Sequence, residues 1–408
     1  MLIIDKIKSW NIQICKFNIA LFLQAILLLA PVTLLFYQEN GLTVGELFLF
    51  QSIFYLTSII MEIPIGYISD TINRKNVLII SFSVYLFVVL LWLSFKGYWI
   101  ILIGEILYAI SKVMRDNASS GYLYDYLKST NRHQTMTKQY GYLNFFLSIG
   151  TTVAALIGTY LYVHYGSHFI LIVEAIIISL SIVLLNSLPK CFHNNKKHID
   201  NIKERINFFT NTAKNIYKNK AIMNYIYYSG LLTSFSVLFA LSFQPLMQNA
   251  MFPIALFGIA AFLNHGTRAG VSVLTGKISK LFNIRKMIIP LFALYVFAFI
   301  CIFVLLKITN IPLVIILIGI ICLIIGCQLL FTIRHVSRLH EFVTSANRGN
   351  LMSINNFFSR TMTFIILLAS KLLIDKMGFE NFYSGAFIIF IIFGFITMLK
   401  AYKIKEKI

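Results

Sequence analysis

GYISDTINRK, residues 66–75, stands between two apolar runs, FLFQSIFYLTSIIMEIPI at 48–65 and VLIISFSVYLFVVLLWL at 77–93. Apolar runs of about 18 residues or more read as membrane spans, so a charged decapeptide between two of them is a short loop at a membrane face. The pattern returns as GKISKLFNIRK at 276–286, again between apolar runs and 210 residues further on. A second pair runs beside it: NRHQTMT from Asn131 and NRGNLMS from Asn347 share N-R-x-x-x-M-[T/S]. An internal repeat with charged loops in corresponding places points to a membrane protein made of two parallel halves.

Twelve apolar runs fall near 17–37, 47–69, 77–95, 99–121, 140–163, 168–188, 222–247, 255–276, 287–306, 311–333, 351–371 and 381–399. The first is too long for the apolar core of a signal peptide and lacks a small-residue cleavage site, so it reads as a retained span. The chain is 58% hydrophobic and 12% charged, about half the charged share of soluble domains. The expected fold is an all-α integral membrane protein: twelve transmembrane helices in two pseudo-symmetric six-helix bundles, residues 1–188 and 222–408, joined by a linker at 189–221. In that linker Ile199, Ile202, Ile206, Phe209, Ala213 and Ile216 recur at helical spacing with Lys203, Arg205, Lys214 and Lys218 on other faces. It reads as an amphipathic helix on a leaflet surface that ties the halves together.

A formal charge of +20 would suit a nucleic-acid binder, and its distribution decides otherwise. With both termini cytoplasmic, 27 of the 35 Lys and Arg fall in the cytoplasmic segments, the asymmetry that sets the orientation of multi-pass proteins. The basic excess therefore reports topology and a preference for an anionic lipid surface, and nucleic acid is set aside. Cys15, Cys191, Cys301, Cys322 and Cys327 form no C-x-x-C pair and read as reduced structural thiols. No metal or other cofactor is implied, and no phosphate-binding G-x-x-x-x-G-K-[S/T] loop is present.

The stretch GYISDTINRKNVL resembles the signature loop of the major facilitator superfamily, G-x-L-x-D-R-x-G-R-K-x-x-L, at Gly66, Asp70, Arg74, Lys75 and Leu78, with Ile68 for the leucine. It departs at Thr71, where that family has a basic residue, and at Asn73, where it has glycine. Asn73 is read as a left-handed turn position, which asparagine tolerates. Gly66 is expected to let the second span approach a neighbour. Asp70 is expected to face a helix N-terminus near Asn350, with Arg74 and Lys75 holding it ionised. The resemblance implies that this cluster is a cytoplasmic latch stabilising an outward-open state. The second copy keeps Gly276, Arg285 and Lys286 but has Lys280 where Asp70 stood, so the first latch is expected to matter more.

Intramembrane charges are costly, about 2.5–3.5 kcal/mol each on insertion scales, and mark functional sites. Eight fall within the spans: Glu62, Glu105, Lys112, Arg115, Asp116, Glu174, Arg268 and Arg360. Half are in the fourth span. Lys112 and Asp116 are four apart and can pair, Glu105 lies one heptad before Lys112, and Arg115 is turned about 100° from Asp116. Such a column lines a wet cavity or the bundle interior. In the eighth span His265 and Arg268, beside Asn264, are candidates for a facing half-site, since histidine titrates near neutral pH and arginine suits carboxylate or phosphate. Glu105, Asp116 and Glu174 are candidate proton carriers, whereas Glu62 is read as structural. The aromatic content is attributed mainly to lipid-facing phenylalanine.

The expected function is secondary transport by alternating access, coupled to protons and exporting a small amphipathic or antibiotic-like compound as a drug-efflux or self-immunity antiporter. Uptake of an anionic metabolite or siderophore is the alternative within the same fold, favoured by Lys112, Arg115 and Arg268. A transport-dead sensor or lipid-handling protein is the alternative from another class. The protein is expected to be non-enzymatic, a monomer, and located in a bacterial inner membrane.

Overall fold

The structure, a computed structural model, describes residues 12–191, 210, 214, 217–278, 284–341 and 348–403. These residues hold helices and no strand. The helices are α1 (Ile12–Gln24), α2 (Thr33–Glu39), α3 (Val44–Thr71), α4 (Arg74–Ser94), α5 (Tyr98–Ser129) and α6 (Met136–Asn186). They continue with α7 (Lys220–Asn249), α8 (Phe257–Ile278), α9 (Ile284–Leu305), α10 (Ile311–Glu341), α11 (Arg348–Met377) and α12 (Phe379–Tyr402). The linker helix expected over residues 199–216 lies almost wholly outside the described residues.

Eight of these helices contain segments long and apolar enough to cross a membrane. The twelve expected spans map onto α1–α12 with two adjustments. First, α6 carries spans five and six in one run, reversed at Gly166, whose φ of 77° and ψ of 177° suit a residue without Cβ. Second, the first span is not one helix: α1 ends at Gln24, residues 25–29 are irregular, and a 3₁₀ turn at Ala30–Val32 leads into α2. Pro31 is the cause. It cannot donate to the carbonyl of Leu27, and its ring crowds that carbonyl, so the helix cannot run through residues 27–31. The charged α5 and α8 are not among the eight, because the groups that make them candidate cavity walls also lower their hydropathy.

The chain forms two compact units, Met1–Ala30 with Ile60–Ile202, and Pro31–Ile59 with Lys203–Ile408. They differ from the two sequence halves at residues 31–59, which lie N-terminal to the linker but belong to the second unit.

In the first unit, small residues set the helix approach. Ser81 and Ser111 each donate to the other's carbonyl at 2.8 Å, joining α4 to α5. A Cβ on Gly104 would stand 2.0 Å from the Trp92 indole nitrogen. On α6, a Cβ on Gly150 would meet the Phe22 carbonyl oxygen at 2.6 Å, and one on Gly158 the Leu28 carbonyl oxygen at 2.1 Å. These two glycines thus seat the interrupted first span against the fifth.

In the second unit, Phe235 and Phe239 of α7, Tyr295 and Phe299 of α9 and Phe390 of α12 pack ring against ring, with centroids 4.9–6.3 Å apart. All five are fully buried, so here the aromatics build the core, although many other phenylalanines of the chain are exposed as expected. The segment 31–59 joins this unit through α2. The Leu34 amide donates to Gln244 Oε1 at 2.8 Å, and Gln38 and Gln248 exchange amide hydrogen bonds at 3.1 and 2.9 Å. Each pair is separated by 210 residues, the offset of the sequence repeat, so equivalent positions of the two halves hold one another.

Candidate functional site

The signature loop is built where α3 ends and α4 begins. Gly66 is buried within α3. Asn73 is not a left-handed residue: its φ is −56° and its ψ 124°, and it caps α4, its side-chain oxygen accepting from the Lys75 amide at 3.0 Å. Capping is what asparagine does well at a helix start, and its amide also donates to the Cys191 carbonyl at 2.9 Å. Arg74 bridges two acids, Asp70 at 3.4 Å and Asp125 of α5 at 3.3 Å. Gly121 makes the room, since a Cβ there would stand 2.5 Å from the guanidinium.

Lys75 does not hold Asp70. Its ammonium, 7% exposed, donates to the carbonyls of Asn186 at 2.8 Å and Leu188 at 2.6 Å. It thereby satisfies carbonyls left open at the C-terminal end of α6, where a positive charge is favourable. Lys75→Met is expected to cost about 1.5–3 kcal/mol, the range for hydrogen bonds to a charged group, read as a lowered melting temperature in detergent. Asp70 is expected to face the helix N-terminus near Asn350, and the side chains there lie outside the described residues. In the second copy Gly276 lies in α8, while Arg285 donates to the Tyr402 carbonyl at 3.0 Å and lies 4.8 Å over that ring. Lys286 is exposed.

The fourth span carries its charges on α5. Lys112 and Asp116 pair at 3.7 Å as their spacing requires, and their side chains are 39% and 40% exposed. Arg115 departs from the expected geometry: it folds back onto its neighbour, with Nε and Nη2 donating to Asp116 Oδ1 at 3.1 and 2.9 Å. The helical angle separates the two Cβ atoms, but the long arginine stem spans it. Arg115 Nη1 also donates to Gln24 Oε1 at 2.7 Å, tying α5 to the last residue of α1. Glu105 is buried on the same helix.

Glu174 of α6 is 1% exposed and accepts from the Tyr85 hydroxyl of α4. The Leu29 backbone N–H, freed by the interruption of the first span, donates to the same carboxyl. Tyr85 and Tyr108 lie ring to ring at 5.0 Å, and Tyr108 is within electrostatic range of Glu105, Arg115, Asp116 and Glu174. The first unit therefore places Glu105, Arg115, Asp116 and Glu174 within electrostatic range of one tyrosine, with Lys112 on the exposed side beside Asp116. Sequence reasoning missed Gln24 and Tyr85 here, and Asp125 in the signature-loop cluster. Asp125 lies in the YLYDYLK ending of the fourth span at 122–128, whereas Gln24 and Tyr85 carry no signal in the sequence, since packing alone supplies their partners.

In the second unit Arg268 is exposed, His265 is half-buried, and Asn264 is buried with its Oδ1 lacking a hydrogen-bond partner. Arg268 of α8 and Arg360 of α11 both act electrostatically on the Tyr55 hydroxyl of α3. Arg360 also donates to the Ser58 carbonyl at 3.5 Å.

Among curated proteins none matches the chain. Two crystal structures resemble it closely in fold. An aspartate-to-alanine variant of the nucleoside transporter NupG superposes with a TM-score of 0.77 at 13% identity, covering 95% of this chain and 98% of that one. The unsubstituted NupG superposes at 0.74 and 13%, covering 97% and 100%. The family model described as Major Facilitator Superfamily matches residues 15–337. That match takes in the signature loop, the charged fourth span and the second copy of the loop, and with it the chain belongs to the Major Facilitator Superfamily, as a multi-pass membrane transporter.

Proposed function

We propose that this transporter works by alternating access, couples to protons, and exports a small amphipathic compound. The observation that carries the reading is the fourth span. Lys112 and Asp116 are 39% and 40% exposed in the middle of a membrane helix whose Glu105 and Arg115 are buried. Charges so placed need water, and inside a bilayer water means a cavity through the protein. Half-exposed Asp116 and the buried acids Glu105 and Glu174 together supply what substrate-linked proton movement needs, carboxyls whose surroundings change when a ligand or water arrives. The likeness to NupG, at 13% identity, bears on the fold and leaves the substrate to this chain's own residues.

A second reading, uptake of an anionic metabolite, is favoured by Arg268 and Arg360, both within electrostatic range of the Tyr55 hydroxyl, since guanidinium groups suit a carboxylate or phosphate. In both readings the protein is a monomer in a bacterial inner membrane with cytoplasmic termini, and the Asp70–Arg74–Asp125 cluster is a latch of the outward-open state.

The test is proton flux in proteoliposomes with a pH-sensitive dye inside, while antibiotics, peptides and organic acids are added to wild type and to Asp116→Asn. Substrate-triggered flux in wild type and its loss in the variant is the expected result. Substrate movement with no proton signal in either protein removes proton coupling. A preference for organic acids that Arg268→Gln and Arg360→Gln abolish moves the assignment to anion uptake.

A further inference from the structure

The first span is interrupted at Ala25–Leu29, and the interruption is gripped from three other spans. On one side, Gln24, 1% exposed, accepts from Arg115 of the fourth span. Within it, the Leu28 carbonyl occupies the place where a side chain on Gly158 of the fifth span would stand. On the other side, the Leu29 N–H donates to Glu174 of the sixth. One residue later, after Ala30, the chain leaves the first unit and enters the second. Whatever alters the grip on residues 25–29 therefore acts where the two units are continuous.

Glu174 is the titratable member of that grip. Both groups that bind it, the Tyr85 hydroxyl and the Leu29 amide, can donate to it. Its Oε2 is buried without a hydrogen-bond partner, and among the described residues it makes no ion pair. The other candidate proton carriers are differently placed. Asp116 is held between Arg115 and Lys112, and Glu105 is buried on the same helix. The groups facing Glu174 are Tyr85 from α4 and, through Tyr108, Glu105, Arg115 and Asp116 from α5. The first span presents the Leu29 backbone and the neutral Gln24.

We propose that Glu174 is the proton-binding group and that it acts through the interruption of the first span. As a carboxylate it accepts strong, charge-assisted hydrogen bonds from the Leu29 N–H and the Tyr85 hydroxyl. A proton added at the free Oε2 breaks no covalent bond, but it makes the carboxyl a weaker acceptor and loosens residues 25–29. Interrupted membrane helices place backbone groups at coupling-ion sites in this way. The inference rests on the reading of the chain as proton-coupled, and it selects one of three carboxyls and names what that carboxyl moves.

The test is hydrogen exchange of the peptide covering residues 21–32, in lipid nanodiscs at pH 6 and pH 8, corrected for the intrinsic pH dependence of exchange. Wild type is expected to be roughly 5- to 30-fold more protected at pH 8, the factor that one or two kcal/mol of lost hydrogen bonding produces. Glu174→Gln, which mimics the neutral carboxyl, is expected to exchange fast at both pH values, while residues 284–305 of the second unit keep wild-type protection and so report an intact fold. Tyr85→Phe, which removes one donor and leaves the acid, is expected to loosen the segment part-way at pH 8. Equal protection of wild type at the two pH values, or a wild-type pH response retained in Glu174→Gln, overturns the proposal. Proton flux measured on the same preparations separates it from the reading it rests on. A pH-responsive interruption without proton-driven transport supports the proton site and removes coupling. Proton-driven transport with an unresponsive interruption removes this proposal and leaves coupling in place.

Discussion

Gly158→Ala is expected to cost about 1–3 kcal/mol of stability, the range for overpacking a filled site, and to abolish transport. The added methyl would lie 2.1 Å from the Leu28 carbonyl oxygen, with the Leu28 carbonyl carbon at 2.9 Å and Cα at 3.1 Å. All three are backbone atoms, so no side-chain rotation relieves the clash. The first span must retreat from the fifth, and the neighbouring Leu29–Glu174 contact is strained with it. Gly141, on the same helix, is exposed, and a methyl added there would have nothing within 4 Å. Gly141→Ala is therefore expected to be neutral or to stabilise by roughly 0.5–1 kcal/mol, the general gain for replacing a helical glycine. Thermal unfolding of the two variants side by side checks the contrast. Equal melting temperatures would mean that the first span can slide without cost and that the interruption is not held as described.

Arg115→Gln is expected to lower transport more than tenfold and stability by about 1.5–3 kcal/mol, as loss of hydrogen bonds to a charged group does. Arg115 makes two bonds to Asp116 and a third to Gln24 at the end of α1. Lysine keeps the charge but has no planar fork with which to span Asp116 and Gln24 together, so Arg115→Lys is expected to recover stability in part and transport hardly at all. Lys112→Gln provides the comparison. Its pair with Asp116 is 3.7 Å long, with side-chain exposures of 39% and 40%, so its contribution to stability is expected to stay within about 1 kcal/mol. The measurements are initial transport rates in right-side-out vesicles and melting temperatures of the purified variants. Wild-type transport in Arg115→Lys would show that charge alone suffices and that the link to the first span is dispensable.

The fold is legible because a bilayer imposes its own grammar. Length and hydropathy of the apolar runs mark the spans, and the repeated loops at 66–75 and 276–286 mark the two halves. The Lys112–Asp116 pair is equally legible, since four residues along a helix bring two side chains to one face whatever surrounds them. Two local readings fail for local reasons. Asn73 reads as a turn residue because glycine stands there in the family's motif, whereas it caps α4. The Cβ direction places Arg115 on its own face, and a flexible side chain of that length does not stay there. Pro31 carries the signal for the interrupted first span, but an apolar run on both sides hides it.

Sequence by itself determined that the chain spans a membrane as two related halves, with its intramembrane acids in the first and only basic groups within the spans of the second. Those features depend on composition, spacing and repetition, which local physics reads directly. Tertiary structure alone decided that Arg74 joins Asp70 to Asp125, that Lys75 serves the end of the sixth span, and that Gln24, Leu29, Tyr85 and Glu174 meet around one interrupted helix. Most of these contacts join residues tens to more than a hundred positions apart in the chain. The membrane requires that buried polar groups find partners; which partners they find is settled only when the helices pack.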